Sequence, residues 1–122
     1  MSKLIDNIPT FSDERGNLSA VENLLGFDIK RFFYIYGVPK DIKRGGHGHF
    51  KTKMGLLCIQ GSCIVNVSKG GVEEEYLLDS PDKLLLLETM EWHDMENFSN
   101  DSILLVLASE RYNADDYFED KK

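Results

Sequence analysis

The chain has 122 residues, of which 42% are hydrophobic and 29% are charged, and it contains 10 Gly and only 3 Pro. These proportions are typical of a globular domain and exclude a disordered or fibrous chain. A domain of this length buries roughly two thirds of the surface of its unfolded chain, so it can fold without disulfides or a structural metal. We therefore predict a single domain over residues 1–122.

The charge balance is acidic, with 14 Lys and Arg against 21 Asp and Glu, for a net charge of −7. Phosphate backbones repel such a chain, so we expect no nucleic-acid partner. The N-terminus lacks the apolar stretch of a signal peptide, and the longest apolar run, 103–108, is far shorter than the roughly 18 residues of a membrane span. These features predict a cytoplasmic protein with no membrane partner.

The apolar segments are short, rich in β-branched and aromatic residues, and separated by Gly, Pro and Asn turn signals. This pattern indicates an all-β antiparallel sandwich or barrel. The strands that we predict lie at residues 29–36, 46–51, 54–59, 63–68, 73–78, 84–87 and 103–109. Residues 54–78 look like two successive hairpins. The only helix candidates are residues 20–25 and the acidic segment 115–119.

Two strands carry more apolar surface than one small barrel needs. The four leucines at 84–87 show no alternation, which is typical of a strand covered on both faces. We interpret one cover as the barrel interior and the other as a second subunit. In the aromatic strand 29–36, Tyr34 and Tyr36 share one face and Arg31, Phe33 and Ile35 share the other. Exposed apolar strands promote association, so we predict a homodimer.

The two cysteines, Cys58 and Cys63, lie in apolar strand-like segments on either side of a turn. A free cysteine in such a segment behaves as a small hydrophobic residue. Because cytosolic thiols normally stay reduced, we interpret both as core residues, and a redox pair is the alternative.

All three histidines fall in two places, His47-Gly48-His49 and His93. Residues i and i+2 of a strand point to the same face, so the first two histidines form a pair. Gly48 leaves the opposite face bare, as happens where an aromatic side chain or another backbone packs closely. The alternative is a pair of solvent-exposed histidines.

These motifs resemble those of the cupins. Gly46-His47-Gly48-His49, with Gly61 twelve residues after the second histidine, resembles the first cupin motif, and Trp92-His93 with Asn97 resembles the second. The resemblance implies a small antiparallel β-barrel, or jelly roll, whose interior both motifs line. Metal-binding cupins add a Glu about four residues after the pair, where this chain has the segment 50–54, FKTKM. We therefore expect no metal, although three histidines can hold Zn or Fe.

A narrower resemblance rests on a series of motifs between residues 10 and 118. In chain order they are 13–18 (DERGNL), 27–39 (FDIKRFFYIYGVP), 44–49 (RGGHGH), 60–63 (QGSC), 78–81 (LDSP), 92–95 (WHDM), 106–109 (VLAS) and 116–117 (DY). This series is similar to that of the dTDP-sugar 3,4-ketoisomerases, also called WxcM-like cupins. Members of that family usually have His-Ala-His-Lys where this chain has residues 47–50, HGHF.

The resemblance implies an isomerase that needs no cofactor. Its substrate would be dTDP-4-keto-6-deoxyglucose and its product a dTDP-3-keto-6-deoxyhexose, used to make deoxyamino sugars of glycans such as lipopolysaccharide. A base removes the C3 proton next to the ketone, and the enediol is reprotonated at C4. Histidine, with a pKa of about 6.5, suits this chemistry, so we expect His49 to be the base, with His47 and Tyr34 completing the relay. This expectation requires Tyr34 to face inward; the alternative is that both tyrosines pack at an interface or in the core.

Substrate binding requires cations for the diphosphate, preferably Arg because its planar fork binds phosphate in a bidentate manner. The residues that we expect to bind substrate are Arg15, Arg31, Arg44, Lys51, Tyr36, Trp92 and His93. Three other functions remain open at this point: a nucleotide-sugar 3,5-epimerase, a metal cupin enzyme and a cupin that binds a sugar nucleotide without catalysis.

Overall fold

The computed structural model describes residues 1–121, and we number its strands in chain order. They are β1 (Lys3–Ile5), β2 (Thr10–Asp13), β3 (Gly16–Ser19), β4 (Arg31–Tyr36), β5 (Arg44–His49), β6 (Met54–Gln60), β7 (Cys63–Lys69), β8 (Val72–Leu78), β9 (Leu84–Leu87), β10 (Trp92–Glu96), β11 (Ile103–Ala108) and β12 (Tyr117–Phe118). A turn of 3₁₀ helix, Ala114–Asp116, precedes β12. Within this part of the chain, no helix is long and apolar enough to cross a membrane.

Two five-stranded antiparallel sheets form the barrel. Their strand orders are β1-β9-β6-β11-β4 and β12-β5-β10-β7-β8, and β2 with β3 forms a separate hairpin. The main core lies between the sheets, because its buried side chains come from β4, β6, β9 and β11 of one sheet and from β7, β8 and β10 of the other. The fold is therefore the all-β cupin barrel that the sequence predicts.

Strand β7 shows why the alternating pattern produces this barrel. Cys63, Val65 and Val67 point into the core and are at most 1% exposed, while Ile64 and Asn66 on the other face are only half-buried. Burying each of these side chains contributes roughly 1–3 kcal/mol, which fixes the register of the strand.

The prediction of two successive hairpins is correct for only one of them. Strands β7 and β8 pair through a turn at Gly70 and Gly71, whose positive φ angles suit a tight hairpin turn. Strands β6 and β7 do not pair, since β6 lies between β9 and β11 in the other sheet. The turn at Gly61 therefore carries the chain from one sheet to the other.

Strand β9 is covered on both faces, as its four leucines predict, but its second cover is not another subunit. Leu85 and Leu87 belong to the core between the sheets. Leu84 belongs to a second hydrophobic cluster. Apolar side chains from residues 20–25 of the same chain pack against this cluster. That interpretation of the leucine run is wrong, because an irregular segment of the same chain supplies the cover.

Neither predicted helix forms an α-helix. Residues 20–25 contain Asn23 at φ 58° and precede Gly26 at φ 75°, and neither angle belongs to a right-handed helix. In segment 115–119 the 3₁₀ turn ends at Asp116, because Tyr117 is extended and pairs with β5.

The predicted strands are present with ends that differ by at most two residues. The short strands β1, β2, β3 and β12 are not among the predicted elements, and residues 92–95 of β10 were recognised only as a motif. Cys58 and Cys63 are free, fully buried core thiols, as interpreted. The neighbouring Cys58 thiol, together with burial, raises the pKa of Cys63, so it resists ionisation at neutral pH.

Candidate active site

A cavity of about 270 Å³ lies between the two sheets. Its lining residues are Arg31, Phe33, Ile35, Arg44, Gly45, His47, His49, Met54, Leu56, His93, Met95, Val106 and Tyr117. Histidines, arginines and a tyrosine supply the polar part of this lining, and aliphatic and aromatic side chains supply the rest. An apolar cavity with a few convergent polar groups is typical of a small-molecule site.

The three histidines converge because β5 and β10 pair with His47 opposite His93. The period of two then brings His49 to the same face as His47. The ring centres of His47 and His49 are 5.3 Å apart, and those of His47 and His93 are 5.1 Å apart. The rings of His49 and His93 stack with 6.0 Å between their centres.

Burial keeps this cluster neutral at pH 7. Burial is the main reason that the pKa of His47 lies below its ordinary value. Burial, reinforced by His47 and Arg31 and opposed by Asp116, lowers the pKa of His49 to about 4. Burial, followed by repulsion from His47 and His49, lowers the pKa of His93 to about 3. A neutral imidazole can accept a proton, so each ring is in the state that a base requires.

Two buried polar atoms in the cavity wall have no hydrogen-bond partner among residues 1–121, His49 Nε2 and Arg31 Nε. Such atoms cost about 1–3 kcal/mol each when they are left unpaired, so they are expected where a ligand supplies the partner. The Arg31 guanidinium lies 5.0 Å from the centre of the Phe33 ring, which holds it beside the cavity.

Tyr117 is a cavity residue whose role the sequence analysis missed. In the pairing of β12 with β5 it stands opposite His49, and its ring centre is 4.8 Å from that of His47 and 4.5 Å from that of His49. The sequence did contain a pointer to Tyr117, since Asp116-Tyr117 is one of the motifs that carry the family resemblance. The prediction of a helix over 115–119 hid the strand geometry that directs Tyr117 inward.

The expectation that Tyr34 faces inward is wrong. Arg31, Phe33 and Ile35 occupy the inner face of β4, so the two-residue period turns Tyr34 and Tyr36 outward. Their side chains are 56% and 68% exposed, and their rings stack on each other 5.8 Å apart. Neither tyrosine lines the cavity.

Three of the residues expected to bind substrate also lie outside the cavity. Arg15 is at the tip of the β2–β3 hairpin, where its exposed guanidinium pairs with Asp13. Lys51 comes after the end of β5, so the two-residue alternation that would place it on the same face as His47 and His49 does not extend to it. It lines a separate surface depression. Trp92 is on the face of β10 opposite His93, and its Nε1 donates to the Glu119 carbonyl oxygen at 2.8 Å. Arg31, Arg44 and His93 do line the cavity.

The side chains that could coordinate a metal are not arranged as a metal centre. Among residues 1–121, no three His, Cys, Asp or Glu side chains are arranged so that they could hold one metal ion. Metal-free chemistry stays a prediction.

The family model described as FdtA (WxcM-like, C-terminal) matches residues 1–122. The chain belongs to this family. A relative from Aneurinibacillus thermoaerophilus, named TDP-4-oxo-6-deoxy-alpha-D-glucose-3,4-oxoisomerase, is 38% identical over 119 residues, which are 96% of this chain and 86% of the relative.

Solved structures of ketoisomerases have the same fold. A 3,4-ketoisomerase from Helicobacter canadensis is 37% identical, with a TM-score of 0.92 over 98% of this chain and 90% of that one. A mutant of the 3,4-ketoisomerase from Thermoanaerobacterium thermosaccharolyticum, solved with TDP-4-keto-6-deoxyglucose, is 35% identical, with a TM-score of 0.91 over 98% of this chain and 87% of that one. Membership of the ketoisomerase family is thus as the sequence motifs predict.

Proposed function

We propose that this protein is a sugar-nucleotide 3,4-ketoisomerase that converts dTDP-4-keto-6-deoxyglucose into a dTDP-3-keto-6-deoxyhexose. The observation that carries the proposal is the neutral His49, whose buried Nε2 has no partner in the described chain and borders a sugar-sized cavity. The names of its relatives and structural neighbours supply the substrate class.

The reaction moves one proton between carbons and one between oxygens. His49 takes the C3 proton, which is acidic because it lies next to the C4 ketone, and the C4 oxygen gains a proton as the enediol forms. The O3 hydroxyl then loses its proton as the C3 ketone forms, and C4 receives a proton. His47 is close enough to His49 to take part in this relay, and nothing is oxidised or reduced overall.

Arg31 and Arg44 are the cations that we assign to the diphosphate. Both line the cavity, and Arg44 is exposed, which is the position expected of a group at the cavity opening. The volume of the cavity is slightly below the roughly 300–1,000 Å³ of sites for drug-sized ligands. We infer that the sugar occupies the cavity and that the nucleotide extends outside it.

The function is tested by incubating the protein with dTDP-4-keto-6-deoxyglucose in deuterated water and identifying the product by NMR. We expect a 3-keto product that carries deuterium at C4, because the enzyme groups that deliver this proton exchange with solvent. A product epimerised at C3 or C5 with its ketone still at C4 would indicate an epimerase. Binding of the nucleotide sugar without turnover would indicate a non-catalytic cupin.

We also propose that the protein is a homodimer. Strand β4 is at the edge of its sheet, and its outer face exposes Phe32 at 63% together with Tyr34 and Tyr36. The separate β2–β3 hairpin also exposes two apolar side chains, Phe11 and Leu18, both by more than 60%. Monomeric proteins rarely leave such an apolar surface and an unpaired strand edge open to water.

We place the protein in the cytoplasm, where nucleotide sugars are made, and its product in the synthesis of deoxyamino sugars for glycans such as lipopolysaccharide. The free thiols of Cys58 and Cys63 agree with a reducing compartment. A new ketone at C3 is the group on which an aminotransferase would act.

A further inference from the structure

The C-terminal strand β12 brings a tyrosine to the histidine pair. We propose that Tyr117 is a catalytic residue of the isomerisation, and that Phe118, packed into the space left by Gly48, holds Tyr117 in position. This inference rests on the proposed function and deepens it.

Strand pairing fixes the direction of the Tyr117 side chain. Residues directly opposite each other in an antiparallel pair share one face, and Tyr117 is opposite His49. Its ring therefore lies against both His47 and His49 and forms part of the cavity wall. Within the described chain, no other tyrosine lines this cavity.

The chemistry needs a group that can give and take a proton between two oxygens. As His49 removes the C3 proton, electrons move to the C4 oxygen, and the Tyr117 phenol donates its proton to this oxygen. The phenolate then takes the O3 proton as the C3 ketone forms, so the phenol is regenerated and protons balance. A phenol suits this step because it is both donor and acceptor.

Gly48 explains how β12 can approach β5 so closely. A Cβ built at residue 48 would collide with three atoms of the Phe118 ring. The ring fills this space and also contacts Phe50, with 5.2 Å between the two ring centres. Gly48 and Phe50, the residues on either side of His49, thus both pack against Phe118.

Further contacts hold the C-terminal segment on both sides of Tyr117. The Asp116 carboxylate accepts hydrogen bonds from the Lys51 and Thr52 amides and from Thr52 Oγ1. On the other side, the Glu119 carbonyl oxygen accepts from Trp92 Nε1. The strand is therefore anchored directly before and shortly after the tyrosine, which keeps its ring against the histidines.

The first test removes only the hydroxyl, by Tyr117→Phe. We expect kcat to fall by roughly 10²-fold, as when a single oxyanion donor or general acid is lost, while dTDP binding and the urea midpoint of unfolding stay as in wild type. Tyr112→Phe is the matched control, because this 66% exposed tyrosine lies 5.9 Å from Tyr117 between ring centres but does not line the cavity. Its kcat should equal that of wild type.

The outcomes separate this inference from the proposed function. An active wild type with an equally active Tyr117→Phe variant would overturn the role of Tyr117 and leave the ketoisomerase assignment intact. A wild type that converts no 4-keto sugar nucleotide would overturn both. Loss of dTDP binding in parallel with kcat would show that the phenol serves binding, which also contradicts the catalytic assignment.

The second test addresses Phe118 as a positioning residue. Gly48→Ala should push the ring away and lower kcat by about tenfold or more, since small displacements of catalytic groups cost rates of this order. The double variant Gly48→Ala/Phe118→Leu removes the colliding ring atoms, so kcat should recover to within a few-fold of Phe118→Leu alone. If the single variant retains wild-type kcat, or the double variant fails to recover, Phe118 does not position Tyr117.

Discussion

His49 has the two properties that a proton-abstracting group needs, a neutral ring at pH 7 and a nitrogen that faces a cavity and has no hydrogen-bond partner among residues 1–121. We predict that His49→Asn lowers kcat by roughly 10² to 10⁴-fold, the usual contribution of a general base. Binding of dTDP, measured by calorimetry, should change little, because His49 acts on the sugar. His47→Asn should be impaired less severely. Wild-type turnover by His49→Asn would remove His49 from the mechanism.

The lowered pKa of His49 predicts an unusual pH profile. The base works when neutral, and a pKa of about 4 keeps it neutral at pH values where an ordinary histidine is protonated. We therefore expect kcat/KM to persist below pH 6.5 and to fall only as pH drops toward 4. Activity regained on return to pH 7.5 controls for unfolding. An acid limb of kcat/KM at pH 6.5 would contradict the burial effect.

The residues that follow the histidine pair in sequence predict catalysis without a metal. Lys51 and Lys53 lie in the segment where metal-binding cupins carry a glutamate, and both are exposed. Dialysis against a strong chelator should leave kcat unchanged, measured beside an undialysed sample. Activity that disappears and returns with Zn or Fe would establish the metal-cupin alternative.

At the scale of elements, the anchoring of β12 depends on the buried carboxylate of Asp116. Burial opposes its ionisation, but hydrogen bonds from Thr52 and Lys51, with His49 nearby, outweigh this and lower the pKa of Asp116. The ionised form is therefore stabilised by folding above pH 3.8, and this stabilisation is lost as pH falls through the lowered pKa.

Asp116→Asn should accordingly lower the free energy of unfolding by about 1–3 kcal/mol at pH 7. The substitution replaces a charged carboxylate with a neutral amide, which weakens the hydrogen bonds that Lys51 and Thr52 donate to this side chain. Urea unfolding of this variant beside Asp115→Asn, which changes an exposed neighbour, provides the measurement. Equal stability of the two variants would show that the carboxylate does not anchor the strand.

At the scale of the whole molecule, the exposed face of β4 predicts a dimer. Light scattering at micromolar concentration should give twice the mass of the chain. Phe32→Glu places a charge on that face and should raise the dissociation constant by roughly 30-fold or more, the effect of losing an aromatic interface residue. Val72→Glu is the control, since Val72 is 54% exposed on β8, in the other sheet. A wild-type mass equal to that of one chain would contradict the dimer proposal.

The sequence by itself determined the strand core and the histidine pair. Alternation in residues 63–69 and the run at 84–87 are local patterns that hydrophobic burial converts directly into strands. His47 and His49 share a face because the period of two is a property of any extended backbone. The close packing at Gly48 was also predictable, since a position without a side chain in a strand indicates that another group packs against it.

Only the tertiary structure decided which faces point inward and which strands become neighbours. Tyr34 and Tyr36 share a face by sequence, but which face meets the cavity depends on how the whole sheet packs. The pairing of β6 with β9 and β11, rather than with β7, is likewise a long-range choice. Tyr117 lies 68 residues from His49 along the chain, and only the pairing of β12 with β5 brings them together. Local periodicity fixes a side chain relative to its own strand, whereas a site is built from contacts between strands, which no local pattern encodes.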